Sequence, residues 1–200
     1  MKKTVVFDLG GVLIDWDPRH LYRKLIPDEE EMERFLDDVC THDWNVRQDA
    51  GRSIADAVAE RVALFPGHAP LIEAYYERWQ EMVPGAIDGT VEILAELKAI
   101  GTPLYALTNF SRETFPRVRE RFDFFDWFEG ILVSGRVGVI KPDRRIYTLF
   151  YSTLAIDPSE ALFIDDRQDN VDGAKAAGMD AVQFSSPERL RTDLRERGIL

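Results

Sequence analysis

Five short apolar runs, at residues 4–9, 103–108, 130–133, 161–164 and 181–184, constrain the fold of this chain more than any other feature. They are almost continuously apolar rather than alternating, which is the pattern of parallel strands buried on both faces. Helical patterns separate the last four. Ile93, Leu94, Leu97 and Ile100 share one face, with Asp88 or Thr90 as the start and Gly101 as the stop. Ile146, Leu149, Phe150 and Leu154 repeat that spacing, and Val171, Ala174 and Ala177 form a small-residue face that ends at Gly178. Strands and helices alternating at this interval predict an α/β fold, a parallel sheet flanked by helices, with its ligand site at the carboxyl ends of the strands.

The first run breaks the rhythm. Asp8 is followed by Gly10-Gly11, then Val12-Leu13-Ile14, and then by a long segment of helical character, with stretches near 29–39, 53–64 and 71–82. Pro66-Gly67 punctuates this segment and Pro84-Gly85 closes it. It is far longer than a single crossover helix, so the expected organisation is a Rossmann-like core, 1–15 and 85–200, carrying an inserted helical cap, 16–84. The basic residues near 112–121 and 189–197 alternate with acidic or apolar ones, the pattern of solvated helix faces. There is no internal repeat and no low-complexity stretch.

Composition narrows the functional classes. A content of 45% hydrophobic and 11% aromatic residues is enough for a sizeable core. The 25 basic and 36 acidic residues leave a net charge of −11, which disfavours nucleic acid and anionic membrane surfaces as partners. An anionic small molecule is repelled as well, unless its site supplies local positive charge. The single cysteine, Cys40, excludes an internal disulfide and any multi-cysteine metal site, and reads as a small packed residue in a helix. Met1-Lys2-Lys3 before Thr4-Val5-Val6-Phe7 briefly imitates a signal peptide, but Asp8 interrupts it and no small-residue cleavage site follows. No apolar stretch is long enough to span a bilayer. A soluble cytoplasmic protein is expected.

Four polar features close the strand runs: Asp8, Thr108-Asn109, Lys141 and Asp165-Asp166. Each has an ordinary structural explanation alone, as a turn residue, a helix N-cap or favourable charge at a helix start. Parallel topology gathers all four into one crevice, where coincidence is a poor account. That crevice would hold three carboxylates and one lysine, and the lysine does not balance them. A Mg²⁺ ion resolves the repulsion, because it takes hard oxygen ligands and binds through one or two carboxylates plus a substrate phosphate. With the ion, Lys141, the Thr108 hydroxyl, the Asn109 amide and loop N–H groups, the site becomes electropositive enough to cradle a phosphoryl group, with Asp8 placed for in-line attack.

Phe7-Asp8-Leu9-Gly10-Gly11-Val12-Leu13, Leu107-Thr108-Asn109, Lys141-Pro142-Asp143 and Phe163-Ile164-Asp165-Asp166-Arg167-Gln168-Asp169-Asn170 resemble, in order and spacing, motifs I to IV of the haloacid dehalogenase superfamily. The Thr-Asn pair, the Asp-Asp-x-x-x-Asn variant and Lys141-Pro-x-x-Arg-Ile-Tyr147 are similar to a branch that includes bacterial glucose-1-phosphate phosphatases and the N-terminal phosphatase domain of soluble epoxide hydrolase. The resemblance implies a Mg²⁺-dependent phosphatase acting on a small phosphorylated metabolite through an aspartyl-phosphate. Asp8 would be the nucleophile; Asp8, the Gly10 carbonyl and Asp166 would hold the ion, with Asp165 and Asn170 behind them. Thr108, Asn109 and Lys141 would bind the phosphate, and Lys141 would serve catalysis as well.

One position departs from the pattern. Most phosphatases of this superfamily carry a second aspartate, the general acid and base, where this chain has Gly10. The backbone carbonyl is kept, so what is lost is proton delivery, worth about 10²–10⁴-fold. Asp15 or Asp17, cap residues such as His42 or Asp43, water, or a substrate that leaves easily are the conceivable replacements. An anomeric sugar phosphate such as a hexose 1-phosphate fits the last, and is the expectation. In the cap, the His42-Asp43-Trp44 cluster is the first candidate to face the site. Trp16, Trp44, Trp79, Tyr75 and Tyr76 are pocket candidates, although aromatics on helices are more often core. His20 and His68 have no partner at a ligand-set spacing.

Two other classes compete. A 2-haloacid dehalogenase shares the nucleophile and the lysine and also lacks the second aspartate, but it has uncharged groups where Asp165-Asp166 stand and a bulky aromatic in place of Gly10. A non-enzymatic reading, a signalling receiver or a catalytically degenerate phosphate-binding protein, fits the acidic cluster with Thr and Lys. Receivers, however, place the acidic pair on the first strand, whereas here the single aspartate comes first and the pair last.

Overall fold

Strands β1 (Thr4–Phe7), β2 (Leu104–Thr108), β3 (Gly130–Val133), β4 (Ala161–Asp165) and β5 (Asp180–Gln183) form one sheet in the order β3-β2-β1-β4-β5, with every neighbouring pair parallel. They come from a computed structural model that describes residues 3–200; the Met1-Lys2 opening of the signal-like segment lies outside the described residues. In register, Val6 lies between Tyr105 and Phe163, and Thr108 pairs with Val133. The near-continuous apolar runs have a simple cause, since each strand feeds two cores. Val5, Phe7, Leu162 and Ile164 point into one, and Val6, Leu107, Phe163 and Ala181 into the other.

Among the described residues, eleven α-helices run in chain order: α1 (Arg19–Leu25), α2 (Glu29–Asp38), α3 (His42–Asp49), α4 (Ile54–Leu64), α5 (Ala69–Glu77), α6 (Asp88–Ala99), α7 (Phe115–Arg119), α8 (Ser134–Val137), α9 (Arg144–Leu154), α10 (Gln168–Ala176) and α11 (Pro187–Glu196). Helices α6 and α11 cover the first sheet face with Ile93, Leu94, Leu97, Leu190 and Leu194. Helices α9 and α10 cover the second with Ile146, Phe150, Val171 and Ala174. The expected α/β architecture, a parallel sheet flanked by helices, is present.

The helical insertion follows the first strand. The chain leaves the sheet at Ile14 and returns at Ala86, where the two passing segments form an antiparallel bridge. The Asp15 N–H donates to the Gly85 carbonyl at 3.1 Å, and the Ile87 N–H to that of Leu13 at 2.9 Å. Helices α1 to α5 lie between these points, and their apolar faces bury Tyr22, Phe35, Trp44 and Tyr75. The stretches near 29–39 and 53–64 correspond to α2 and α4. The stretch near 71–82 is two pieces, α5 and a 3₁₀ turn at Trp79–Met82. The sequence pattern does not predict α1 and α3, which are short, at 7 and 8 residues. Cys40 is buried as expected, but two residues beyond the end of α2 rather than within a helix. Among the described residues, no helix is long and apolar enough to cross a membrane.

Candidate active site

The chain runs from β1 outward to β2 and β3, then crosses back to place β4 on the other side of β1. The crevice beyond the carboxyl ends of β1 and β4 is therefore the switch point where open α/β sheets bind ligands. Asp8 immediately follows β1, and its N–H continues the sheet ladder by donating to the Ile164 carbonyl at 2.8 Å. Asp165 ends β4 and Asp166 follows it. One carboxylate oxygen from each of Asp8, Asp165 and Asp166 lies within 4.8 Å of the others.

Lys141 organises this acidic group. Its side chain is fully buried, and its ammonium lies 2.9 Å from Asp8 Oδ1 and 2.6 Å from Asp165 Oδ2 while donating to the Leu107 carbonyl at 3.0 Å. Asn109 holds the lysine backbone from both sides. Its Oδ1 accepts from the Lys141 N–H at 2.8 Å, and its Nδ2 donates to the Lys141 carbonyl at 3.0 Å. Asp165 is fully engaged as well, since its Oδ1 accepts from the Arg167 N–H and from Asn170 Nδ2, both at 2.9 Å. Asp166 keeps an exposed edge at the crevice, and its own backbone N–H donates to its carboxylate.

Charge and burial compete here. Burial pushes the Asp8 carboxyl up to about 7, with Lys141 pulling it down and Asp165 raising it further. Burial lowers the Lys141 pKa, but the Asp165 and Asp8 carboxylates outweigh it and hold the ammonium above its ordinary value. Asp166 is raised by burial and then by the neighbouring Asp165 charge. The arrangement is short of positive charge.

The turn after β1 shapes the floor. The Leu13 and Ile14 N–H groups both donate to the Leu9 carbonyl, at 2.8 and 2.9 Å, which folds residues 9–14 tightly over the strand end. Gly11 sits at φ +72°, and a Cβ there would lie 2.7 Å from Asp166 Oδ2. Only glycine allows both this backbone and so near an acidic neighbour.

A cavity of about 480 Å³ opens over this floor, between sheet ends and insertion. Asp8, Gly10, Asn109, Lys141, Asp166 and Asn170 line its core side, and His42 and Asp43 line it from α3. Thr108, buried at the last position of β2, is not part of the wall. Trp44 turns away: its indole N–H donates to the Ala57 carbonyl at 3.3 Å, and its ring packs on Tyr75 and Tyr76. Trp16 and Trp79 face the cavity, whereas Tyr75 and Tyr76 are core. Asp15 pairs with His20 at 3.1 Å, and Asp17 accepts from the Arg19 N–H at 2.9 Å; neither reaches the wall. His42 Nε2 lies 3.0 Å from Arg167 Nη1, and burial followed by that guanidinium charge lowers its pKa.

Sequence reasoning missed Asn45, Asp49 and Arg167 in the wall. The signal was there for α3: His42, Asn45, Val46 and Asp49 stand at i, i+3, i+4 and i+7, one helix face, and all four line the cavity. Burial pushes the Asp49 carboxyl up to about 7, against the opposing influence of the Ser111 backbone and of the Lys141 charge.

Comparison with known proteins places this geometry. A sesquiterpene phosphatase of Aspergillus oryzae is 26% identical over 198 residues, covering 97% of this chain and 95% of its own. A validoxylamine A 7′-phosphate phosphatase of Streptomyces hygroscopicus subsp. limoneus is 26% identical over 193 residues, covering 93% and 87%. Among solved structures, a haloacid-dehalogenase-family enzyme of Bacteroides thetaiotaomicron in complex with magnesium shares the fold, with a TM-score of 0.74 at 23% identity over 97% of this chain and 98% of that one. The family model for haloacid dehalogenase-like hydrolases matches residues 2–178, which takes in every strand end that builds the crevice. With its parallel sheet, helical insertion and strand-end aspartates, the chain belongs to the haloacid dehalogenase-like hydrolases.

Proposed function

We propose that this chain is a Mg²⁺-dependent phosphatase of a small phosphorylated metabolite, with Asp8 as the nucleophile. The observation that carries the reading is a buried carboxylate at the end of the central strand, ion-paired at 2.9 Å to a buried lysine and flanked by the acidic pair Asp165-Asp166. The two similar proteins described above are a sesquiterpene phosphatase and a validoxylamine A 7′-phosphate phosphatase, which supports the reaction class.

The residues present fit a hard divalent cation. Asp165 is spent on Lys141, Arg167 and Asn170, so Asp8, Asp166 and the Gly10 carbonyl are the oxygens that would hold it. Asn170 Oδ1 is buried without a donor beside them, an acceptor suited to a metal-bound water. When bound, Mg²⁺ supplies Lewis-acid stabilisation of the phosphoryl oxygens and screens the approach of one anion to another. The protein's own residues do the rest. Lys141 keeps Asp8 oriented and favours its charged form, Asn109 fixes the lysine, and Asp8 attacks phosphorus to form an aspartyl-phosphate that water releases. The helices between Ile14 and Ala86 act as a cap, 16–84, over a core of 1–15 and 85–200, and shield the phosphorylated intermediate from side reactions.

Trp16, Trp79 and Phe110 beside Asp43, Asn45 and Asp49 give the cavity a mixed apolar and polar wall, suited to a hydroxylated organic phosphate. The resemblance to the glucose-1-phosphate phosphatase branch points to a hexose 1-phosphate as the substrate type. A haloacid dehalogenase would gain nothing from Asp166, whose charge repels a haloacid carboxylate. The test is a panel of phosphate esters assayed with Mg²⁺ and with EDTA, alongside halide release from 2-chloropropionate. Metal-dependent phosphate release abolished by Asp8→Asn is expected; metal-independent halide release overturns the reading.

A further inference from the structure

Gly10 leaves the proposed reaction without its usual proton carrier, and the cavity contains a carboxyl that nothing else employs. We propose that Asp49, at the end of α3 in the insertion, gives the proton to the leaving oxygen and takes one from the attacking water. This rests on the phosphatase reading above.

Three features set Asp49 apart from the other candidates. First, it lines the same cavity as Asp8, from the opposite element. Second, a directional chain of hydrogen bonds orients it. Gln48 Nε2 donates to the Tyr76 oxygen at 3.0 Å, the Tyr76 hydroxyl donates to Asn45 Oδ1 at 3.1 Å, and Asn45 Nδ2 donates to Asp49 Oδ2 at 3.2 Å. With the amide nitrogen facing Oδ2, that oxygen is an acceptor; the Ser111 backbone N–H also donates to the carboxyl, whose remaining lone pairs are left to carry the proton. Third, its backbone is fastened to the core segment that builds the phosphate site. Ser134 Oγ donates to the Asp49 carbonyl at 2.6 Å and accepts from the Phe110 N–H at 2.9 Å, and Phe110 directly follows Asn109, the clamp on Lys141. Insertion and nucleophile are thus held in one frame.

Among the described residues, no lysine or arginine forms an ion pair with Asp49; the Ser111 backbone N–H and the Lys141 charge are what favour its charged form. Its burial favours the protonated form near neutrality. Asp15 and Asp17 are tied to His20 and Arg19, and Asp43 is exposed with no described residue holding it.

The steps balance. The Asp8 carboxylate attacks phosphorus and the P–O bond to the leaving group breaks. The electron pair stays on the leaving oxygen, which takes the Asp49 proton and departs as an alcohol. Water then attacks the aspartyl-phosphate, giving its proton to the Asp49 carboxylate. The bond between phosphorus and Asp8 breaks, releasing inorganic phosphate with both aspartates restored.

A proton donor matters in proportion to the basicity of the leaving group. The experiment is kcat/KM, with Mg²⁺, over monoesters running from p-nitrophenyl phosphate to simple alkyl phosphates. Asp49→Asn should stay within about threefold of wild type on p-nitrophenyl phosphate and fall by about 10²–10⁴-fold on alkyl esters, steepening the leaving-group dependence. Asp49→Glu should recover part of the alkyl rate. Asn45→Ala keeps the carboxyl but removes its orienting bond, so it should steepen the dependence less, and it remains informative if Asp49→Asn fails to fold. A uniform loss over the series in both Asp49→Asn and Asn45→Ala, or a slope parallel to wild type, overturns the role of Asp49 and leaves the phosphatase reading intact. Wild-type protein that releases phosphate from no ester overturns both.

Discussion

Lys141 shows how much one side chain carries. It is buried with Asp8 and Asp165, and its removal would leave two carboxylates in a low-dielectric setting with no cation. The penalty of breaking such a cluster exceeds the net worth of forming it, because the remaining charges keep their desolvation cost. Lys141→Met should therefore lower stability by about 3–5 kcal/mol, read from urea unfolding. A loss below about 1 kcal/mol would mean that water reaches the carboxylates freely. Phosphate release should vanish in the same variant. At this scale the residues at the strand ends were legible: Asp8, Asn109, Lys141, Asp165, Asp166 and Asn170 all come together. Asp49 was not, for it has no motif around it. Its position follows from burial, from Asn45 and from Ser134, which lie 4 and 85 positions away in the chain.

Among the elements, the core helices and strands were legible because burial on a regular period leaves an apolar trace. Helix α6 begins at Asp88 and ends beside Gly101 as its pattern requires, and β3 has the expected bounds. Helix α3 left no such trace. One of its faces is a polar cavity wall, and its buried side carries Gln48 and Asn45 in hydrogen bonds to Tyr76 where apolar residues would ordinarily sit. What sets it is the Thr41 cap, whose hydroxyl accepts from the Trp44 N–H at 3.0 Å, and the neighbours that satisfy its polar groups. Helix α8 is short, and its place depends on close backbone contact. A Cβ on Gly135 would meet the Arg112 nitrogen and the Phe110 oxygen at 2.6 Å each, and neither backbone atom can swing aside. Gly135→Ala should cost about 1–3 kcal/mol by overpacking, measured by chemical unfolding. Because α8 also carries Ser134, the variant should lose turnover through the Asp49 frame. Wild-type stability in Gly135→Ala would show that the segment after β2 yields easily.

Over the whole molecule, the net charge of −11 and the acidic crevice act in the same direction. Folding without an ion brings Asp8, Asp165 and Asp166 within 4.8 Å, with one lysine among them, and so works against electrostatic repulsion. An ion that binds only the folded protein relieves that repulsion and stabilises by mass action, about 2.7 kcal/mol at a hundredfold excess over its Kd. For a chain of this size that corresponds to a rise in Tm of about 5–11 °C. Asp166→Asn separates the two effects. It removes a carboxylate whose pKa is raised by burial and by Asp165, so the variant without metal should melt at or above the wild-type temperature. It also removes a ligand, so its Tm should stay nearly flat on Mg²⁺ addition, while wild type climbs and EDTA reverses the climb. Scanning calorimetry of both proteins across a Mg²⁺ series reads the two slopes directly. Equal slopes would place the ion elsewhere, and a flat wild-type curve would remove the metal from the proposed chemistry.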